Sequence, residues 1–290
     1  MLKNAVRGRT CVVVRHCCAF DQIYTLQAAP QRVHVVSCSL LYCISAASAA
    51  HHSQPMLLRR TTTAAMRRTQ RRHLGYVELE RDVVAPQHLA EYRAMLAAHA
   101  PTRHKLDKGY LGSFGVDVGR ASSVYHLSVF EDYDQRDARE ATEGLRFFHQ
   151  GLQSLESSVF KEASATLNEA GLPGLQDGLD AVQGCAFELR TYELQLGYDT
   201  VPNFLEIYSG GLKDKMEHDD SGESRLISLL HSEAGVAPLN TVIELWRHES
   251  AQGAQRSRLA SRKATSWRRA VNHIAELSTR FETQLLRPIL

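Results

Sequence analysis

Residues 238–250 read PLNTVIELWRHES. Thr, Val, Ile, Leu and Trp fill the stretch, the side chains that pack well on a pleated surface, so it predicts a β-strand. A strand sends successive side chains to opposite faces. One face carries Leu239, Thr241, Ile243 and Leu245; the other carries Asn240, Val242, Glu244, Trp246 and His248. A solvated face rarely holds Val and Trp, and a dry core rarely holds Glu and His. Something must cover the second face, and the fold depends on what does.

The stretch has a counterpart. VYHLSVFE begins at Val124 and VIELWRHE at Val242, 118 residues later. SSVFKE at Ser157 and STRFET at Ser278 are 121 apart, and VEL at Val77 and FEL at Phe187 are 110 apart. Drifting offsets indicate loops of different length inside a shared pattern. The first repeat reads as a strand at 75–83, then a helix opened by Pro86 with Leu89, Tyr92, Met95 and Leu96 at helical spacing. Strands at 109–119 and 122–132 follow, then a helical region from Asp134 to about Glu156 and a closing strand at 157–167. The second repeat gives a strand at 185–194, a helix at 201–216 and a hairpin of 224–235 with 239–250. Two helical pieces between Ala251 and Leu277, the second capped by Thr265 or Ser266, and a closing strand at 278–289 complete it. The breaker-rich run Ala170–Gly184 separates the repeats. The expected organisation is a front segment 1–73, a first domain 74–169, a linker 170–184 and a second domain 185–290.

The order β-α-β-β-α-β is the ferredoxin-like split βαβ, an α+β unit with both helices on one face of an antiparallel sheet. The other face is bare, and two repeats cover it by packing sheet to sheet around a barrel-like space. This predicts that Ile243, Leu245, Phe187 and Leu189 face the helices. Glu244, Trp246, His248, Glu188, Arg190 and Tyr192 then point between the sheets, where Arg190 pairs with Glu244 or Glu188 across strands. The alternative is two separate domains with wet sheet faces.

The front of the chain differs from the rest. Residues 1–73 hold eleven Lys and Arg and one acidic residue, Asp21, a net of +10; the remainder carries −8. An acid-poor segment rich in Arg, Ser, Thr and Ala has the composition of an organelle transit peptide, best developed in MLLRRTTTAAMRRTQRR, 56–72. The alternative is a basic tail that binds nucleic acid. Met56 is also a candidate start, with 1–55 then untranslated. The apolar stretch Val33–Ala50 falls short of the roughly 20 residues a membrane helix requires. Five of the six cysteines lie in the front segment, and Cys185 alone belongs to the repeats, so no disulfide framework is expected.

The repeats resemble the NIPSNAP family. The resemblance rests on Glu188, Leu189, Arg190, Thr191, Tyr192 and Gly197 in FELRTYELQLG, and on Gly235, Leu239, Val242, Leu245 and Trp246 around the opening stretch. Arg256, Trp267 and Pro288 fit the downstream pattern, and Gly112, Gly119 and the His126–Leu127 pair resemble the family's N-terminal half. The resemblance implies tandem dimeric-α/β-barrel domains, a mitochondrial address in the matrix or at the inner membrane, and an adaptor or scaffold role in mitochondrial quality control or trafficking. Family members commonly carry His where this chain has Glu244, so chemistry that depends on that His does not transfer.

Glycine-rich phosphate loops, nucleophile elbows and HExxH pairs are absent from the sequence. One candidate site is a polar cluster of Arg190, Tyr192, Glu244, Trp246 and His248, joined by His231. It reads as a cavity for a ligand or reaction, or as a satisfied polar core. The cavity reading suits a haem-like or aromatic ligand, or a cofactor-free oxygenase; the main expectation is a non-catalytic protein without cofactor. A second candidate is the acid-free run holding Arg256, Arg258, Arg262, Lys263, Arg268 and Arg269, suited to anionic lipid or an acidic protein partner, or else simply solvated. RNA is disfavoured because Trp267 is its lone aromatic. His88, His99 and His104 have no carboxylate or Cys partners at ligand spacing, so no metal site is expected. A homo-oligomer is compatible with all of this.

Overall fold

A computed structural model describes residues 75–142 and 150–290. The expected targeting segment, with Met56–Arg72 and five cysteines, lies outside the described residues. Eight strands and six α-helices follow in the order β1 (Tyr76–Val84), α1 (Leu89–Leu106), β2 (Tyr110–Val118), β3 (Ser123–Phe130), α2 (Tyr133–Thr142), β4 (Leu152–Glu162) and α3 (Ser164–Glu169). The second repeat is β5 (Ala186–Leu194), α4 (Thr200–His218), β6 (Ser224–Gly235), β7 (Thr241–His248), α5 (Ala251–Ser261), α6 (Thr265–Leu277) and β8 (Ser278–Ile289).

The strands close into one barrel in the order β1-β3-β2-β8-β5-β7-β6-β4, every pair antiparallel. Within each repeat the order is fourth, first, third, second, the split βαβ arrangement. The two repeats join edge to edge, β2 on β8 and β4 on β6, so neither sheet keeps a free edge. Gly235 sits at the second seam with φ +109, and a Cβ there would lie 2.4 Å from the Ser157 carbonyl oxygen. Only glycine allows that approach and that backbone.

The middle of the barrel interior is apolar. Phe114, Leu127 and Phe160 of the first repeat meet Phe187, Leu189, Ile243, Leu245 and Leu286 of the second. Residues 170–184 do more than connect: Leu175 and Leu179 pack into this same cluster, and Glu162 accepts from the Leu175 amide at 2.9 Å. A recess of about 220 Å³ remains among Leu189, Ile243, Phe160, Tyr125, Arg81 and Arg120.

This reverses the predicted faces. Ile243, Leu245, Phe187 and Leu189 point into the barrel, whereas Trp246 and Val242 pack outward with Phe204, Tyr208 and Leu212 of α4 and Trp267 and Ile274 of α6. The alternation was correct; the assignment of inside and outside was not. All eight residues of β7 are buried, so its pattern marks two faces without naming either. The helices decide it, because α4 and α6 bring Lys215 and aromatic rings against Trp246, while Glu244 is satisfied by Tyr192, Arg190 and Trp246 on the strands themselves, and the barrel interior offers the aliphatic set its dry partners.

Two boundaries also differ. The helix expected from Asp134 to about Glu156 gives way to β4 at Leu152, because Leu152–Glu156 pairs with Val84–Arg81 of β1. The closing strand expected to reach Leu167 stops at Glu162, and Ser164–Glu169 forms α3. Neither Thr265 nor Ser266 caps α6: the N-cap is Ala264, and Asp214 of α4 accepts from the Ser266 amide at 2.6 Å instead.

Candidate functional site

The register of β5 and β7 assembles the polar cluster. Arg190 lies opposite Glu244, Glu188 opposite Trp246, Ala186 opposite His248 and Tyr192 opposite Val242. Alternation then puts Glu188, Arg190, Tyr192, Glu244, Trp246 and His248 on the face under α4, α5 and α6. The site therefore lies between sheet and helices, not in the inter-sheet space where the sequence placed it.

Two buried carboxylates organise it. Glu188 receives Arg190 in a two-point contact, Nε to Oε1 at 2.9 Å and Nη2 to Oε2 at 3.0 Å. It also accepts from Arg258 at 2.7 Å and Thr283 at 2.8 Å, and its Oε2 lies 3.3 Å from His248 Nε2. Burial pushes the Glu188 pKa up, but the hydrogen bonds from His248 and Arg190 and the charge of Arg190 outweigh it and hold the group well below the usual carboxylate range. Glu244 accepts from Tyr192 at 2.6 Å, from the Trp246 indole N–H and from Arg190 Nη1 at 3.4 Å. Ser224 Oγ, 2.7 Å from His248 Nδ1, fixes the far side of that ring. Burial, then the Glu244 charge, raises the Tyr192 pKa, which keeps this phenol protonated as a donor.

Lys215 was not foreseen. Its ammonium group is buried, lacks a hydrogen-bond partner, and lies 3.4 Å from the Trp246 ring centroid and 4.7 Å from that of Trp267. Burial and the Arg190 charge bring its pKa down to about 7, against the opposing pull of Glu244 and Glu188. The sequence signal was a lysine on the apolar stripe of a helix: Phe204, Tyr208, Leu212 and Lys215 share the buried face of α4. Thr283 gave no such signal, since β8 alternates without a polar cluster.

Beside this network a cleft of about 440 Å³ opens between β5, β8 and the α5–α6 corner. Arg190, Glu188 and Tyr192 lie at its base, Trp267 and Phe281 give it aromatic walls, and Arg258, Arg262 and Arg268 line it as well. Glu188 and Glu244 offset Arg190 and Arg258. Arg262 and Arg268 are exposed, so the cleft carries excess positive charge.

The remaining predicted residues separate. His231 is apart from the cluster, opposite Val242 on β7 and Lys161 on β4, and burial lowers its pKa. Arg256 is held by Glu223 in a two-point contact at 2.6 and 2.7 Å. Arg258 turns inward to Glu188, while Lys263 and Arg269 are exposed. His99 and His104 are exposed on α1, and His88 precedes it. Among the described residues no group of three His, Cys, Asp or Glu is placed to hold a metal ion, and no helix is long and apolar enough to cross a membrane.

Comparison with known proteins follows this division. The NIPSNAP family matches residues 187–290. A NIPSNAP-domain protein of Burkholderia xenovorans is 24% identical over 36% of this chain and 93% of its own, with a TM-score of 0.31. A NIPSNAP family protein of Agrobacterium tumefaciens is 20% identical over 38% of this chain and 94% of its own, with a TM-score of 0.32. Across both repeats the chain is similar to an anthrone oxidase-like protein, at 10% identity, 74% coverage of this chain, 91% of that one and a TM-score of 0.52, a likeness of fold. No curated protein matches the chain. The fold is that of the dimeric α/β barrels, with both halves in one chain, and residues 187–290 of its second repeat match the NIPSNAP family.

Proposed function

We propose that this NIPSNAP-domain protein is a small-molecule binder whose cleft under α5 and α6 takes a small aromatic anion. The observation that carries the reading is the cleft itself: a ligand-sized space with Arg190 at its base, Trp267 and Phe281 as walls, and uncompensated Arg262 and Arg268. A planar guanidinium suits a carboxylate or phosphate, and aromatic walls suit a ring. A haem-like ligand fits less well. Of the side chains that ligate haem iron, the described lining offers Tyr192 alone, and its hydroxyl is engaged by Glu244.

The adaptor reading has its own support. The loops after β5 and β6 expose Leu196, Tyr198, Val236 and Leu239, and Asn240 ties them together by donating to the Gln195 and Gly197 carbonyls. A mitochondrial protein that holds a metabolite and meets a protein partner through these loops accommodates both roles.

Calorimetric titration with aryl carboxylates and aryl phosphates tests the binding reading. Saturable binding is expected, weakened at least tenfold in Arg262→Ser/Arg268→Ser. Binding that is unchanged in the double variant, or absent throughout the series, would contradict it.

A further inference from the structure

The first repeat carries a different cluster at the equivalent place. Asp82, His126 and Ser113 occupy the positions of Tyr192, Glu244 and Leu229 in the second repeat, by strand register. The duplicated architecture has thus kept one frame and installed two chemistries.

The hydrogen bonds of this cluster run in one direction. His126 Nε2 lies 2.7 Å from Asp82 Oδ2, and Ser113 Oγ lies 2.6 Å from His126 Nδ1. A carboxylate only accepts, so Nε2 carries the proton of the neutral ring, whose Nδ1 then presents its lone pair. Arg103 Nη1, a donor at 3.3 Å from the same Nδ1, is consistent with that tautomer alone. Ser113 therefore donates to His126. The Tyr110 hydroxyl is hydrogen-bonded to Ser113 Oγ at 2.5 Å, and Tyr92 donates to Asp82 Oδ2. Asp82, His126 and Ser113 are all nearly fully buried, yet Ser113 borders a cleft of about 360 Å³ whose other walls include Pro101, Leu111, Phe114, Leu179 and Ile289.

We infer that this is an acyl-transfer site for small esters with an apolar acyl group. Its parts are a hydroxyl nucleophile, a base in hydrogen-bond reach and a carboxylate that orients the base. Ser113 Oγ bonds to the ester carbonyl carbon while its proton passes to His126 Nδ1. Arg103 and the Tyr110 hydroxyl are the donors beside the resulting oxyanion. The ester C–O bond then breaks, and the alcohol leaves with the proton from His126. Water attacks the acyl-Ser113 carbonyl, gives its proton to His126, and releases the acid as Ser113 regains that proton. Asp82 acts through His126 and is a positioning residue.

The site is independent of the second-repeat cleft. Its test is covalent labelling of the wild-type protein with diisopropyl fluorophosphate, read by intact mass and peptide mapping, together with hydrolysis of p-nitrophenyl butyrate. A single adduct on Ser113 is expected, with hydrolysis reduced at least 100-fold in Ser113→Ala while its circular dichroism shows the native fold. In Asp82→Asn, kcat falls with KM unchanged, a split that loss of folding would not produce. Folded wild-type protein that takes no label on Ser113, or hydrolysis unaffected by Ser113→Ala, overturns the assignment.

Discussion

Arg190 and Glu188, two residues apart on one face of β5, form a two-point ion pair, with Glu244 reached only by the third guanidinium nitrogen at 3.4 Å. The guanidinium is thus fixed before it meets the neighbouring strand. The burial of Arg190 disfavours its charge, but Glu244 and Glu188 more than restore it and raise its pKa. Removing one member leaves a buried charge, a loss of about 3–5 kcal/mol. Arg190→Met is expected to destabilise the fold on that scale in urea unfolding. A double-mutant cycle with Glu188→Gln should show larger coupling than one with Glu244→Gln.

Trp246 is 2% exposed and is wedged between Lys215, Arg190 and the α4 and α6 rings. Its truncation opens a cavity and leaves Glu244 without an indole donor. Trp246→Ala should cost about 3–5 kcal/mol. The loss should appear chiefly as loosened packing of α4 and α6, seen as faster amide exchange there, with the barrel strands protected longer. Uniform exchange across both would count against an outward-facing Trp246.

Lys215 gives the protein a distinct pH dependence. Its pKa falls from 10.5 in the unfolded chain to about 7 in the folded one. Between those values the unfolded state binds more protons, so stability rises with pH across that window. The gain from pH 7 to pH 9 is about 2–3 kcal/mol relative to a Lys215→Met variant, in which the buried charge is absent. Parallel unfolding curves for the two proteins over this range would contradict the assignment.

Residues 1–73 carry a net charge of +10 on a chain whose remainder carries −8. A reporter fused to 1–73, and separately to 56–73, is expected to reach mitochondria. Cytosolic or nuclear signal from both fusions would refute the targeting proposal.

The sequence revealed the repeats more readily than the site. Matching words at Val77 and Phe187 and at Val124 and Val242 carried the topology, because strand order follows from element order in a split βαβ unit. The inside and outside of the barrel were not legible, since Trp246 and Leu245 are both buried and only the helices above Trp246 distinguish them. Arg190, Tyr192, Glu244, Trp246 and His248 were correctly grouped, because alternation on two paired strands suffices for that. Lys215, Arg258 and Thr283 come to the cluster from α4, α5 and β8, and no local pattern announces a meeting of elements distant in sequence. His231 lies opposite Val242 of β7 and Lys161 of β4, on the side of β7 away from β5, which carries Arg190 and Tyr192.

The central claim is that the cleft between β5, β8 and the α5–α6 corner holds an aromatic anion. The chain has two tryptophans, and Trp267 lines that cleft. In Trp246→Phe the tryptophan emission comes from Trp267 alone, the residue that lines the cleft. Titration with an aryl carboxylate is predicted to quench it saturably, with benzyl alcohol of similar size giving no change. Equal responses to the acid and the alcohol, or no response to either, would contradict the account.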